Sequence, residues 1–133
     1  TYNSAARSTI TRHLGDIGTG ACVGVLVNAI NDLDVREAAR FALDRIPGPE
    51  ATKALVEAAK RLVGDRFCAG LANSLGQRSG EGVAEALGEL SKHPNREVRV
   101  AAAEAASHHA NPEMDAIITG VLANDAEPLS AQE

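Results

Sequence analysis

Apolar positions recur along this chain in two registers, repeated four times. Leu14, Leu43, Leu75 and Ala106 anchor matching segments at offsets of 29, 32 and 31 residues. Four residues before each anchor stand Ile10, Ala39, Leu71 and Ala102. The second register comprises Val23, Leu26, Val27, Ile30; then Thr52, Leu55, Val56, Ala59; then Val83, Ala86, Leu87, Leu90; then Met114, Ile117, Ile118, Val121. Each quartet has the i, i+3, i+4, i+7 spacing of an amphipathic helix. Two helical stripes in every ~30 residues are the signature of a helical solenoid. The spacing predicts first helices over 4–15, 34–46, 66–77 and 96–109, and second helices over 20–31, 50–63, 81–92 and 112–123. The expected fold class is therefore all-α, with about eight helices in four pairs.

The punctuation agrees. Gly18 and Gly20 separate the first pair, Pro47-Gly48-Pro49 the second, Ser79-Gly80 the third and Asn111-Pro112 the fourth. No helix runs through a Pro-Gly-Pro sequence, and Pro112 suits a first helical turn. Asn31-Asp32, Gly64-Asp65 and Pro94-Asn95 join one pair to the next, with Asp or Asn available as N-caps. This divides a single domain, 1–133, into repeats at about 3–31, 32–63, 64–93 and 94–124, with 125–133 expected to fray. Gly24, Gly70, Gly88 and Gly120 fall inside helical stretches, where glycine costs about 1 kcal/mol against alanine. They are expected where neighbouring helices approach too closely for a side chain.

Composition narrows the function more than the fold. A net charge of −5 argues against a general nucleic-acid binder and against docking on an anionic membrane. The longest apolar run, Ala21 to Ile30, is too short to span a bilayer. With one Tyr, two Phe and no Trp, the chain lacks the aromatic planes on which bases stack. The core must come from Ala, Val, Leu and Ile, which suits close helix packing. Thr1 opens the chain without a methionine, so a piece of a longer protein is expected. Cys22 and Cys68, on helices of different register, read as small buried hydrophobes rather than a bridge. They leave the compartment open, with the cytoplasm favoured over an exported parent.

The segments Asp34-Val35-Arg36-Glu37-Ala38-Ala39-Arg40-Phe41-Ala42-Leu43 and Asn95-Arg96-Glu97-Val98-Arg99-Val100-Ala101-Ala102-Ala103-Glu104-Ala105-Ala106 resemble HEAT repeats. The likeness is to the short bacterial type also found in phycobiliprotein lyases. It extends to Leu14-Gly15-Asp16-Ile17-Gly18 and covers nearly the whole chain. Repeat three departs, with Cys68 in place of the arginine and Gly64 in place of the opening Asp. The resemblance implies a right-handed α-α superhelix whose second helices line a concave face, and it implies no chemistry.

Arg7, Arg36 and Arg99 hold equivalent positions seven residues before their anchors, each with Asn3, Asp32 or Asn95 four residues ahead. Such a row either grips phosphates or forms a structural ladder between repeats. Because its spacing follows the repeat, the ladder, with Asp32 among the partners, is the better reading, weakened at Cys68. Glu81, Glu85 and Glu89 stand at i, i+4, i+8 and predict an acidic stripe, continued by Glu113 and Asp115. The corresponding helix of repeat two is mixed, with Lys53, Glu57, Lys60 and Arg61. A change of charge sign along a groove would orient an extended ligand. His108-His109 point about 100 degrees apart on a helix and make a poor ligand pair for one metal ion. His93 reads as a cation near a helix end, and His13 as facing the core or a repeat junction.

No Gly-x-Ser-x-Gly turn and no Cys–His pairing accompanies these residues. The expectation is a non-catalytic protein–protein interaction scaffold without cofactor or metal, monomeric or weakly self-associating. Its partner would be a protein or peptide, a basic one matching the acidic stripe, contacting Lys53, Glu57, Glu81, Glu85 and Glu89. Rivals are a structural spacer or dimerisation domain, a chromophore-handling role like that of phycobilin lyases, and a HEAT-like DNA glycosylase. The last two fit poorly with so few aromatic residues.

Overall fold

Paired stripes become paired helices. The computed structural model describes residues 4–17, 20–62 and 64–125. Among these, all regular structure is helical: α1 (Ser4–Ile17), a 3-10 turn (Gly20–Cys22), α2 (Val23–Ile30), α3 (Arg36–Arg45), α4 (Pro49–Arg61), α5 (Cys68–Gly76), α6 (Val83–Leu90), α7 (Arg96–Ala106) and α8 (Pro112–Asp125). Asn3, Gly18, the Leu14 side chain and the expected frayed tail from Ala126 onward lie outside the described residues.

Of the expected caps, Asn95 is the N-cap of its helix, whereas Asp32 and Asp65 bond in the turns ahead of α3 and α5, whose N-cap positions are Val35 and Phe67. The Asn95 side chain accepts the Glu97 backbone N–H at 2.8 Å, and that of Asn111 accepts the Met114 N–H at 2.9 Å, ahead of Pro112. Asp32 and Asp65 accept the N–H groups of Asp34 and Phe67 at 3.0 and 2.9 Å. Each such bond satisfies a donor that a helix start or turn would leave orphaned, worth about 1 kcal/mol at a true N-cap.

The contacts divide the chain into two compact units, Thr1–Ala58 and Ala59–Glu133, so the boundary falls inside α4. In the first unit α3 packs against both α1 and α2. Leu26, Ile30, Val35, Ala39, Leu43 and Ile46 are buried there. The expected phase of α1 is corrected. Ile10 is 48% exposed while its neighbour Thr11 is buried, its hydroxyl donating to the Arg7 carbonyl at 2.7 Å. That internal bond is what lets a polar residue turn inward in place of isoleucine. His13, expected inside, is exposed two positions further along.

In the second unit α5 lies against α7 and α6 against α8, with α7 also touching α6 and α8. First-member helices thus neighbour one another, and so do second-member helices. Leu71, Leu75, Val83, Leu87, Leu90 and Val98 are all but fully buried. The tightest approach is at Gly76, where an added Cβ would lie 2.8 Å from both Cα and Cβ of Ala105. The expectation of close approach fails at Gly24 and Gly120. A Cβ at Gly24 or Gly120 would meet nothing within 4 Å, and one at Gly88 would meet Ile117 Cδ1 at 4.0 Å. Gly24 and Gly120 lie on exposed helix faces, so packing gives them no reason to lack a side chain.

Candidate functional site

The acidic residues on α6 are the centre of the surface that the sequence marks. Val83, Ala86, Leu87 and Leu90 face the core, which turns Glu85 and Glu89 to solvent one helical turn apart. Glu81 does not extend that helix. It lies in the turn before α6, between Gly80 (φ 151°) and Gly82 (φ 87°), and the left-handed backbone at Gly82 starts the helix at Val83. The expected stripe of three carboxylates is therefore two on the helix and one on the turn. Lys60, at the end of α4, puts its ammonium 3.5 Å from Glu85 Oε1. Both side chains are about half-exposed or more, so the pair adds little stability.

Between these charges opens a shallow cavity of about 210 Å³, with Ala59, Ala86 and Leu90 as its apolar floor and Lys60, Glu85 and Glu89 at its rim. Small-molecule and cofactor sites usually exceed about 300 Å³ and enclose most of the ligand. This cavity suits the end of one long side chain. Glu85 and Glu89, like charges at i, i+4, repel by a few tenths of a kcal/mol, and an incoming cation relieves that repulsion. Lys53 and Glu57 are exposed on the part of α4 that belongs to the first unit.

The arginine positions fall into two kinds. Arg7 reaches forward to Asp32 at 2.6 Å and Asp34 at 3.1 Å, the acids that precede α3. Arg99 instead reaches back, donating to the carbonyls of His93 and Pro94 at 2.9 and 3.0 Å. Arg36 is half-buried at the same register. Repeat three, where a weakened ladder was expected, keeps a bond at this position with a weaker donor. The buried Cys68 thiol donates to the Leu62 carbonyl at 3.1 Å, six residues back, as Arg99 does to His93. A thiol in closer quarters makes the bond that a guanidinium makes one repeat later.

His93, read as lying near a helix end, is buried and links two connections of the chain. It is 3% exposed, with the Gly64 N–H 3.1 Å from Nε2 and the Asn95 N–H 2.9 Å from Nδ1. A neutral imidazole has one lone-pair nitrogen, so each tautomer accepts from one of these groups, whereas an imidazolium could accept from neither. His108 is exposed and His109 half-buried. No group of three or more His, Cys, Asp or Glu residues is placed to share a metal ion among the described residues.

Two features escaped the sequence reading. Arg40 is buried between Glu37 (3.0 Å) and Asp44 (3.7 Å), with its guanidinium 4.5 Å from the centre of the Phe41 ring. Its acids at i−3 and i+4 were the available signal. A second, more apolar groove lies between α7 and α8, about 380 Å³ in volume. Leu122, one turn after Ile118 on α8 and outside the quartet of Met114, Ile117, Ile118 and Val121, was its trace in the sequence. Compared with family models, curated proteins and solved structures, the chain matches none of them.

Proposed function

We propose that this chain is a HEAT-like α-solenoid, a right-handed superhelix of four helix pairs, that works as a non-catalytic protein-interaction module. The neighbouring of α5 with α7 and of α6 with α8 supports that architecture, since stacked repeats pair like helices with like. The occupant of the α6 surface is a basic peptide segment. One observation carries this reading: Glu85 and Glu89 rim an apolar cavity whose size matches a single long side chain. A lysine or arginine would lay its methylenes on Ala86 and Leu90 and set its charge between the carboxylates. Lys60 is then an internal competitor, already occupying Glu85.

Fluorescence anisotropy with lysine- and arginine-rich peptides tests this. The double variant Glu85→Lys/Glu89→Lys should weaken binding by about tenfold or more, while Lys60→Ala should tighten it. Equal affinity in all three proteins, or no affinity for any basic peptide, would remove the assignment.

A further inference from the structure

The groove between α7 and α8 has a floor of Val100, Ala103, Ile118, Val121 and Leu122. Leu122 is 63% exposed and Val100 36%, so large apolar side chains stand open to water along it. Stepping back 31 residues gives the counterparts of these positions on α5 and α6. Ala72, Leu87 and Leu90, which correspond to Ala103, Ile118 and Val121, are all buried in the second unit. The groove is therefore the surface on which another helix would pack.

A further repeat cannot stack there as α7 stacks on α5. That contact depends on Gly76, where a Cβ would come within 2.8 Å of Ala105. The groove has Ser107 at the equivalent position, and its side chain occupies the space a stacked helix would need. The occupant must approach less closely and cross differently.

The charges on α7 select which occupant. Arg96 and Glu104 flank Val100 at four residues on either side, on one face of the helix. A two-fold axis passing beside Val100 would bring α7 against α7 of another copy in antiparallel order. Arg96 of each copy would then face Glu104 of the other, twice over, with the leucines and valines between them. Such self-complementarity of one patch is what an isologous interface requires. We infer that the α7–α8 groove is a homodimer surface, occupied by the same groove of a second copy of this chain.

Sedimentation equilibrium of the full chain tests it, with circular dichroism confirming that each variant is folded. The wild type should dimerise reversibly, and Leu122→Glu, at an exposed position, should raise the dissociation constant about tenfold or more. Arg96→Glu and Glu104→Arg should each do the same, because each sets like charges face to face at two symmetric places. The double variant Arg96→Glu/Glu104→Arg should recover most of the lost affinity, since it re-forms both pairs with the signs exchanged. A wild type that stays monomeric, a dimer indifferent to Leu122→Glu, or a double variant no better than the singles would each overturn the inference. So would a monomer that instead takes up a different helical protein in this groove.

Discussion

Glycine carries opposite meanings at different positions in this chain, and the difference is measurable. At Gly76 a methyl group would collide with the backbone of Ala105, so α5 and α7 must separate to admit it. Gly76→Ala should therefore destabilise the protein by about 1–3 kcal/mol in urea unfolding, despite alanine's better helix propensity. Gly24→Ala and Gly120→Ala meet nothing within 4 Å and should each stabilise by about 0.5–1 kcal/mol in the same assay. The two cysteines divide in a similar way. Cys22 is partly exposed, whereas Cys68 is 0% exposed and its thiol is committed to Leu62. A thiol reagent should label Cys22 promptly and Cys68 at the rate at which the α4–α5 connection opens, read as two phases in a labelling time course.

Helices were the legible level. The expected spans and the observed ones differ by a few residues at their ends because Pro47, Gly48, Asn95, Asn111 and Pro112 act locally, and a local rule can be read from a sequence. Asn95→Ala, which removes the side-chain acceptor for Glu97 N–H, should cost about 1 kcal/mol and fray α7 from its start, visible as faster amide exchange there. The phase of each helix was less legible. Ile10 and Thr11 compete for one inward position, and Thr11 can take it because its hydroxyl donates to the Arg7 carbonyl one turn back. Glu81 fits the i, i+4 spacing of the stripe, but the glycines on either side of it were the available signal that the helix starts only after Gly82. The apolar groove was hidden for another reason: Ile118, facing the groove, and Ile117, beside it, are the same residue type.

Across the whole molecule, the repeat conserves positions more firmly than residues. Cys68 and Arg99 are chemically unlike, yet both donate to a carbonyl six residues back, in the connection that follows the preceding second helix. A search of the sequence for arginines misses that equivalence, since what persists is a donor of the right reach. Surface charge follows the opposite rule, varying from repeat to repeat: mixed at Lys53 and Glu57, acidic at Glu85 and Glu89, paired in sign at Arg96 and Glu104. Binding by the proposed α6 site should fall with added salt, whereas a dimer built mainly on Val100 and Leu122 should lose much less affinity over the same range. The seam at Gly76 has one more consequence, which hydrostatic pressure would expose. Pressure unfolds proteins by forcing water into their voids, and a contact without space for a methyl group has no volume to surrender. The α5–α7 seam should therefore stay dry and show the smallest pressure-induced shifts of any helix contact in its unit.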